Sequence, residues 1–237
     1  TMKLFDFDFY FLVSDLISND SICKKLTALK RNDGDHTIIY NYKGGFYCNG
    51  KKELIISDFL IETINIAKET ELIRSCALKY SPLKTIEFEK NSQLNIIDNY
   101  AFENLQIEKI SIPDSVTIIG NYAFSHCHLL KTVEISQKSK LVKIHKYAFC
   151  GTSIESIVFP SSLIEIDDYA FYECYKLKTV DNHSNQIKFK HGCFSNSSIE
   201  SIKFPQQSIF CNSSFMHCHK LKKLEFLPKK TGKNSLF

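Results

Sequence analysis

The amino-acid sequence predicts an α/β repeat solenoid: an arc with a parallel sheet on its concave face and an irregular cap at the N-terminus. Three periodic features carry this prediction. Tyr-Ala-Phe recurs at Tyr100-Ala101-Phe102, Tyr122-Ala123-Phe124, Tyr147-Ala148-Phe149 and Tyr169-Ala170-Phe171, with weaker copies ending at Phe194 and Phe215. Successive Phe positions lie 22, 25, 22, 23 and 21 residues apart. An apolar residue stands five positions before each Phe (Ile97, Ile119, Ile144, Ile166, Phe189, Phe210), and Ile73 with Leu78 marks a degenerate first copy.

The third feature is a short alternating segment after each Phe. Ile86-Glu87-Phe88, Ile110-Ser111-Ile112, Val133-Glu134-Ile135, Ile157-Val158-Phe159, Val180-Asp181-Asn182, Ile202-Lys203-Phe204 and Leu224-Glu225-Phe226 make seven such segments. Inward residues flanking one outward residue give the period of two of a half-buried strand. Leu or Ile three residues earlier (Leu83, Ile107, Leu130, Ile154, Leu177, Ile199, Leu221) completes an L-x-x-L-x-L frame. One such strand cannot bury its face alone, and stacked in parallel each covers the next, so a single sheet of about seven turns is expected. Leu83-Lys84-Thr85, Leu130-Lys131-Thr132 and Leu177-Lys178-Thr179 are 47 residues apart, alternating with Ile107-Glu108-Lys109, Ile154-Glu155-Ser156 and Ile199-Glu200-Ser201. The repeating unit is therefore a pair, whose Glu-bearing member ends in Pro113, Pro160 or Pro205, where a missing amide stops the strand.

The run Ile112-Pro113-Asp114-Ser115-Val116-Thr117-Ile118-Ile119-Gly120-Asn121-Tyr122-Ala123-Phe124-Ser125-His126-Cys127 closely resembles the BspA-like leucine-rich repeat, roughly I-P-x-S-V-x-x-I-G-x-x-A-F-x-x-C. The resemblance covers residues 67–227. The last two repeats depart from it, with Phe189 and Phe210 in place of Ile and Cys193 or Ser214 in place of Ala. It implies a leucine-rich-repeat arc used for protein recognition, of a kind known from bacterial surface proteins and expanded in parasitic protozoa, some binding host matrix proteins or other cells.

Residues 1–66 break the pattern and read as an α/β capping region. A strand is expected over Phe5–Phe11, a helix over Asp20–Lys30, and strands over Thr37–Tyr42 and Glu53–Ser57, with turns at Gly44-Gly45 and Asn49-Gly50. Ser57–Thr70 reads either as a helix or as a decayed repeat. Residues 228–237 read as a basic tail or as the start of a truncated eighth repeat, because Gly232 to Phe237 resembles Gly120 to Phe124.

Composition narrows the function. The 237 residues carry a net charge of +4 and are 43% hydrophobic, with 8 Gly and 5 Pro, so a packed core is expected rather than disorder or a collagen-like chain. No apolar run approaches the ~20 residues of a membrane helix. Nine cysteines in irregular spacing with no CxxC pair suit reduced thiols better than a disulfide framework. The opening residues lack the uncharged core of a signal peptide. These two features point to the cytosol and the resemblance points to the cell surface; the compartment stays open. Sequons at Asn19, Asn182, Asn196 and Asn212 do not decide it.

No catalytic, cofactor or metal site is expected. There is no Gly-rich phosphate loop, HExxH or Gly-x-Ser-x-Gly. Cys127, Cys174 and Cys218 follow their Phe by three residues and read as buried packing residues. His126-Cys127-His128 and His217-Cys218-His219 look metal-like but stand four repeats, roughly 20 Å, apart, too far for one zinc. Basic residues are scattered rather than arranged in a nucleic-acid stripe.

The candidate partner-binding residues are the outward ones of the strands. One column runs Glu87, Ser111, Glu134, Val158, Asp181, Lys203, Glu225, and its neighbour runs Thr85, Lys109, Thr132, Ser156, Thr179, Ser201, Lys223. Acidic groups on alternate strands form a rib beside hydroxyls. That rib is either a by-product of the duplicated pair or a partner-facing surface for basic or hydroxyl-rich ligands. The expected partner is a protein, host matrix or cell-surface by resemblance, or a cytosolic one for an intracellular scaffold. The chain itself is expected to be a monomer or to associate weakly end to end.

Overall fold

The computed structural model describes residues 40–48, 51–57, 61–211 and 213–227. The expected strand at Phe5–Phe11, helix at Asp20–Lys30, turn at Asn49-Gly50 and the tail after Leu227 lie outside these. Among the described residues the fold is a parallel β-solenoid with no helix, which corrects the α/β expectation.

It opens with an antiparallel meander of β1 (Tyr40–Tyr42), β2 (Gly45–Cys48) and β3 (Glu53–Ser57). Lys43 and Gly44 turn the β1–β2 hairpin with φ of 47° and 83°. The solenoid then winds two ladders. The long ladder stacks β4 (Thr63–Ile66), β6 (Thr85–Phe88), β8 (Lys109–Ile112), β10 (Thr132–Ile135), β12 (Ser156–Phe159), β14 (Thr179–Asn182), β16 (Ser201–Pro205) and β18 (Lys223–Leu227). The second ladder is made of two-residue strands: β5 (Leu72–Ile73), β7 (Ile96–Ile97), β9 (Ile118–Ile119), β11 (Lys143–Ile144), β13 (Glu165–Ile166), β15 (Lys188–Phe189) and β17 (Ile209–Phe210). It is joined to the meander through the parallel pairing of β3 with β5.

Two expectations are corrected here. The single sheet is three among the described residues: the apolar residue before each Tyr-Ala-Phe pairs with its equivalents in neighbouring turns to make one, and the long ladder is split into β4–β6 and β8–β18. Ser57–Thr70 carries β4, so it is a decayed repeat and the solenoid has about eight turns rather than seven.

The Tyr-Ala-Phe corner explains why no helix forms. In each turn two residues four apart take left-handed backbone angles, such as Tyr122 (φ 55°) with His126 (58°) and Tyr147 (56°) with Gly151 (68°). Left-handed angles cost a non-glycine residue roughly 1–2 kcal/mol. They also aim alternate amides along the solenoid axis. Tyr122, Phe124 and His126 donate to Lys146, Ala148 and Cys150 carbonyls of the next turn at 2.9, 2.7 and 2.8 Å. A helix would turn those amides back onto its own chain. The corner is thus a third inter-turn ladder that offsets the local strain.

Side chains stack in the same register. Phe102, Phe124, Phe149, Phe171 and Phe194 are fully buried, and each ring lies 4.9–5.3 Å from the next. A half-buried stack of Tyr100, Tyr122, Tyr147 and Tyr169 runs beside them, with centroids 4.9, 4.9 and 5.1 Å apart. It ends where Gly192 takes the next position. A Cβ there would meet the Tyr169 ring at 2.5 Å, and His191 packs edge-on against that ring instead.

The long ladder is built of strand doublets. Within β4–β6, β8–β10, β12–β14 and β16–β18, four or five consecutive residues pair. Between doublets, β14–β16 pairs at two residues, β10–β12 at one, and β6–β8 at none. The seams share one feature of the repeat. In two of the doublets the residue after the second strand donates back to the first, as Glu89 does to Ile66 (3.0 Å) and His183 to Phe159 (3.1 Å). At the seams that residue is Pro113, Pro160 or Pro205, which has no amide to donate. The doublet is the 47-residue pair in three dimensions.

Candidate functional site

Inward residues of the long ladder, such as Ile110, Val133, Ile157 and Val180, are buried, and the alternate residues stand outward. Register places Lys109, Thr132, Ser156, Thr179, Ser201 and Lys223 in one row, and Thr85 pairs with Thr63 in the first doublet. The second row contains Ser111 beside Glu134, Val158 beside Asp181, Lys203 beside Glu225, and Glu87 beside Asn65. All fourteen candidate residues therefore lie on one face, exposed except for the half-buried Ser201 and Glu225.

Two contributors were missed, Thr63 and Asn65. Their signal was the alternation Thr63-Ile64-Asn65-Ile66, obscured because no Tyr-Ala-Phe follows it. A third outward row was missed as well: Glu62, Lys84, Glu108, Lys131, Glu155, Lys178, Glu200 and Lys222 alternate in sign one residue before each strand. Lys84 reaches Glu62 at 2.6 Å, Lys131 reaches Glu108 at 3.0 Å and Lys222 reaches Glu200 at 3.9 Å, so in three doublets these charges bridge the two strands. Each exposed pair contributes roughly 0–1 kcal/mol.

The acidic rib differs from expectation in its electrostatics. Lys109 Nζ lies 2.6 Å from Glu134, which also accepts from Ser111 Oγ; these contacts hold the Glu134 carboxyl below its usual range. Glu225 is held down in the same way, by Lys223 first, with Lys203 at 3.9 Å. Asp181 faces His183 at 3.7 Å. Glu87 has no ion-pair partner among the described residues. The face thus carries several internally paired charges, while Glu87 near its N-terminal end and Glu155 in the third row have no ion pair among the described residues.

The thiols behave as packing groups. Cys127 and Cys174 are fully buried, and burial pushes both up to about 12. Their Sγ atoms lie 3.0 and 3.2 Å from the Phe102 and Phe149 carbonyls of the preceding turn. Cys218 is half-buried and makes the equivalent contact to Phe194 at 3.0 Å. The two His-Cys-His triplets keep their imidazoles exposed on corners four turns apart, and His128 Nδ1 lies 2.9 Å from Gly151 O. Among the described residues no group of three or more His, Cys, Asp or Glu side chains is placed to hold a metal. No helix among them is long and apolar enough to cross a membrane.

Stacked parallel turns with an L-x-x-L-x-L strand, a left-handed corner and a polar outward face define the leucine-rich-repeat class of solenoid. Six copies of the BspA type leucine rich repeat region match residues 56–154 and 142–236, and the chain belongs to that family. Among solved structures it is similar to a leucine-rich repeat protein from Eubacterium ventriosum (TM-score 0.50, 19% identity), covering 73% of this chain and 52% of that one, so it spans about half of that protein. It is also similar to the leucine rich repeat protein of T. pallidum (TM-score 0.49, 22% identity, 71% and 76% covered). A third is the pneumococcal vaccine antigen PcpA (TM-score 0.43, 16% identity, 85% and 82% covered). At these identities the likeness concerns the fold. No curated protein sequence is significantly similar to the chain.

Proposed function

We propose that this chain is a non-enzymatic protein-recognition module that acts in surface adhesion or in contact with a host or neighbouring cell. The contact surface is the outward face of the long ladder, with Thr85, Thr132, Ser156, Thr179 and Ser201 as its hydroxyl row. The observation that supports this reading is the ordered register of that face, paired within the doublets of the long ladder and carried across their seams by the second ladder and the corner hydrogen bonds. Side chains locked in place before binding lose little entropy on contact. Eight strands at ~4.8 Å give a face roughly 35 Å long, enough for the ~800 Å² per partner of a standard interface.

A membrane-impermeant label applied to intact source cells tests the surface reading. Labelling supports it, and an unlabelled chain present in the lysate overturns it. The alternative is an intracellular scaffold that holds a cytosolic protein on the same face, and the unbridged thiols of Cys150, Cys193 and Cys211 favour it. An N-glycan at Asn196 in native material excludes that alternative. Asn182 is unsuited to this test, because it is 2% exposed and its amide nitrogen is buried.

A further inference from the structure

The open seam between β6 and β8 is the largest departure from regularity in the solenoid. No ladder hydrogen bond joins the two strands, whereas the second ladder beside them stays closed through Ile96↔Ile118 and Ile97↔Ile119. Pro113 removes one donor, and the Ile86 and Phe88 carbonyls face the seam without ladder partners from β8. A groove of about 1000 Å³ follows this seam, lined by both strands and by the loops at their C-terminal ends.

The charges around the groove are unevenly satisfied. Lys84 is drawn away to Glu62 and Lys109 to Glu134, both outside the seam. The Glu87 and Asp114 carboxylates line the groove with no ion pair among the described residues; Lys140 lies at its loop end. Unmatched carboxylate therefore stands beside backbone carbonyls that the neighbouring strand leaves unmet.

We propose that the β6/β8 seam is a docking subsite for an arginine side chain carried on an extended peptide segment. Its guanidinium presents five donors in a planar fork, which meets the Ile86 and Phe88 carbonyls from one side and Glu87 from the other. The peptide lies over the groove while the side chain enters the seam. This subsite deepens the protein-recognition reading and rests on it.

The test is an amide-resolved NMR titration of the full chain with acetyl-Ser-Thr-Arg-Thr-Ser-amide and with the same peptide carrying citrulline, which keeps the shape and removes the charge. Shifts confined to residues 84–89 and 108–114 are expected, with binding weakened about fivefold by citrulline or by Glu87→Gln. Glu87 is exposed, so Glu87→Gln leaves the remaining spectrum unchanged. Equal binding of the citrulline peptide, or of the variant, overturns the proposal. Shifts on the outward rows of β12–β16 with a silent seam also overturn it, yet leave the recognition face standing. No shift anywhere at millimolar peptide removes the seam and, for basic ligands, the face with it.

Discussion

The amide of His183 donates to the carbonyl of Phe159 at 3.1 Å and closes the last rung between β12 and β14. One turn earlier and one turn later the equivalent residue is proline, Pro160 and Pro205, and the rung is missing. Pairing on either side of the doublet falls from four residues to one or two. Prolines 47 and 45 residues apart, at positions 113, 160 and 205, thus coincide with the seams between doublets.

Restoring that donor should tighten a seam. Pro160→Ala places an amide opposite the Ile135 carbonyl, so the new amide at position 160 should exchange as slowly as that of His183. Net stability should change by less than about 1 kcal/mol, because the new hydrogen bond is offset by the unfolded-state freedom that proline had removed. Native-state hydrogen exchange reads the protection. A new amide that exchanges as freely as an exposed loop would show that the seam has another cause.

The aromatic ladder should behave as one continuous core. Phe149 stacks on Phe124 at 5.0 Å (3° between planes) and on Phe171 at 5.2 Å (9°), and is fully buried. Phe149→Ala should cost about 3–5 kcal/mol, the usual range for an emptied aromatic site. Phe226, which is 60% exposed in the last described strand, should cost under about 1 kcal/mol on the same change. Denaturant unfolding of both variants measures the contrast, and similar losses would contradict the ladder.

How much of this was legible follows from which forces are local. The strands were, because Ile110-Ser111-Ile112 and its copies alternate in and out with a period that only an extended chain uses. Their outward rows came with them. The left-handed corner was not legible, since Tyr122 and His126 are poor left-handed residues by themselves. They are held there by carbonyls of the next turn, 24 residues on, which no local pattern contains. A signal did exist, because Gly151, Gly192, Asn104 and Asn196, which tolerate that conformation, occupy the same two positions in other turns. The matched charges of the face were hidden for a related reason. Glu134 looked free until the register set Lys109 and Ser111 beside it.

Acid should weaken the second ladder. Lys143, Glu165, Asp167 and Lys190 form one partly buried cluster across β11, β13 and β15, with contacts of 2.7 Å (Lys143–Glu165), 3.3 Å (Lys190–Glu165) and 3.1 Å (Lys190–Asp167). Burial pushes the Glu165 and Asp167 carboxyls up. For Glu165 the lysine contacts outweigh burial; for Asp167 the Asp168 amide does so with Lys190, and both carboxyls end below their usual values. His145 beside them is lowered, by burial first and then by Lys143. A group with a depressed folded pKa stabilises the fold above its unfolded value and loses that contribution as pH falls through the folded one. Stability should therefore begin to decline below about 6.5, where unfolded histidine takes a proton, and decline further through the carboxylate range. Lys190→Met should cost about 1–2 kcal/mol at neutral pH and flatten the acid limb of a urea-unfolding series, and an unchanged limb would remove the cluster from the account.

Alkylation should separate the buried thiols from the rest. Burial raises Cys127 and Cys174 to about 12 and Cys150 to about 11, from an ordinary value near 9. Only the thiolate attacks an alkylating reagent, so at pH 8 the folded chain should leave these three unmodified while denaturant exposes them all. Cys211 is half-buried and should label ahead of them. The same shifts set the alkaline limit: thiols with raised folded pKa values stabilise the fold fully below about 9, and that contribution disappears as pH climbs towards 11 and 12. Peptide mass mapping after timed iodoacetamide treatment reads the order, and early modification of Cys127 in folded protein would mean that the corner opens on its own.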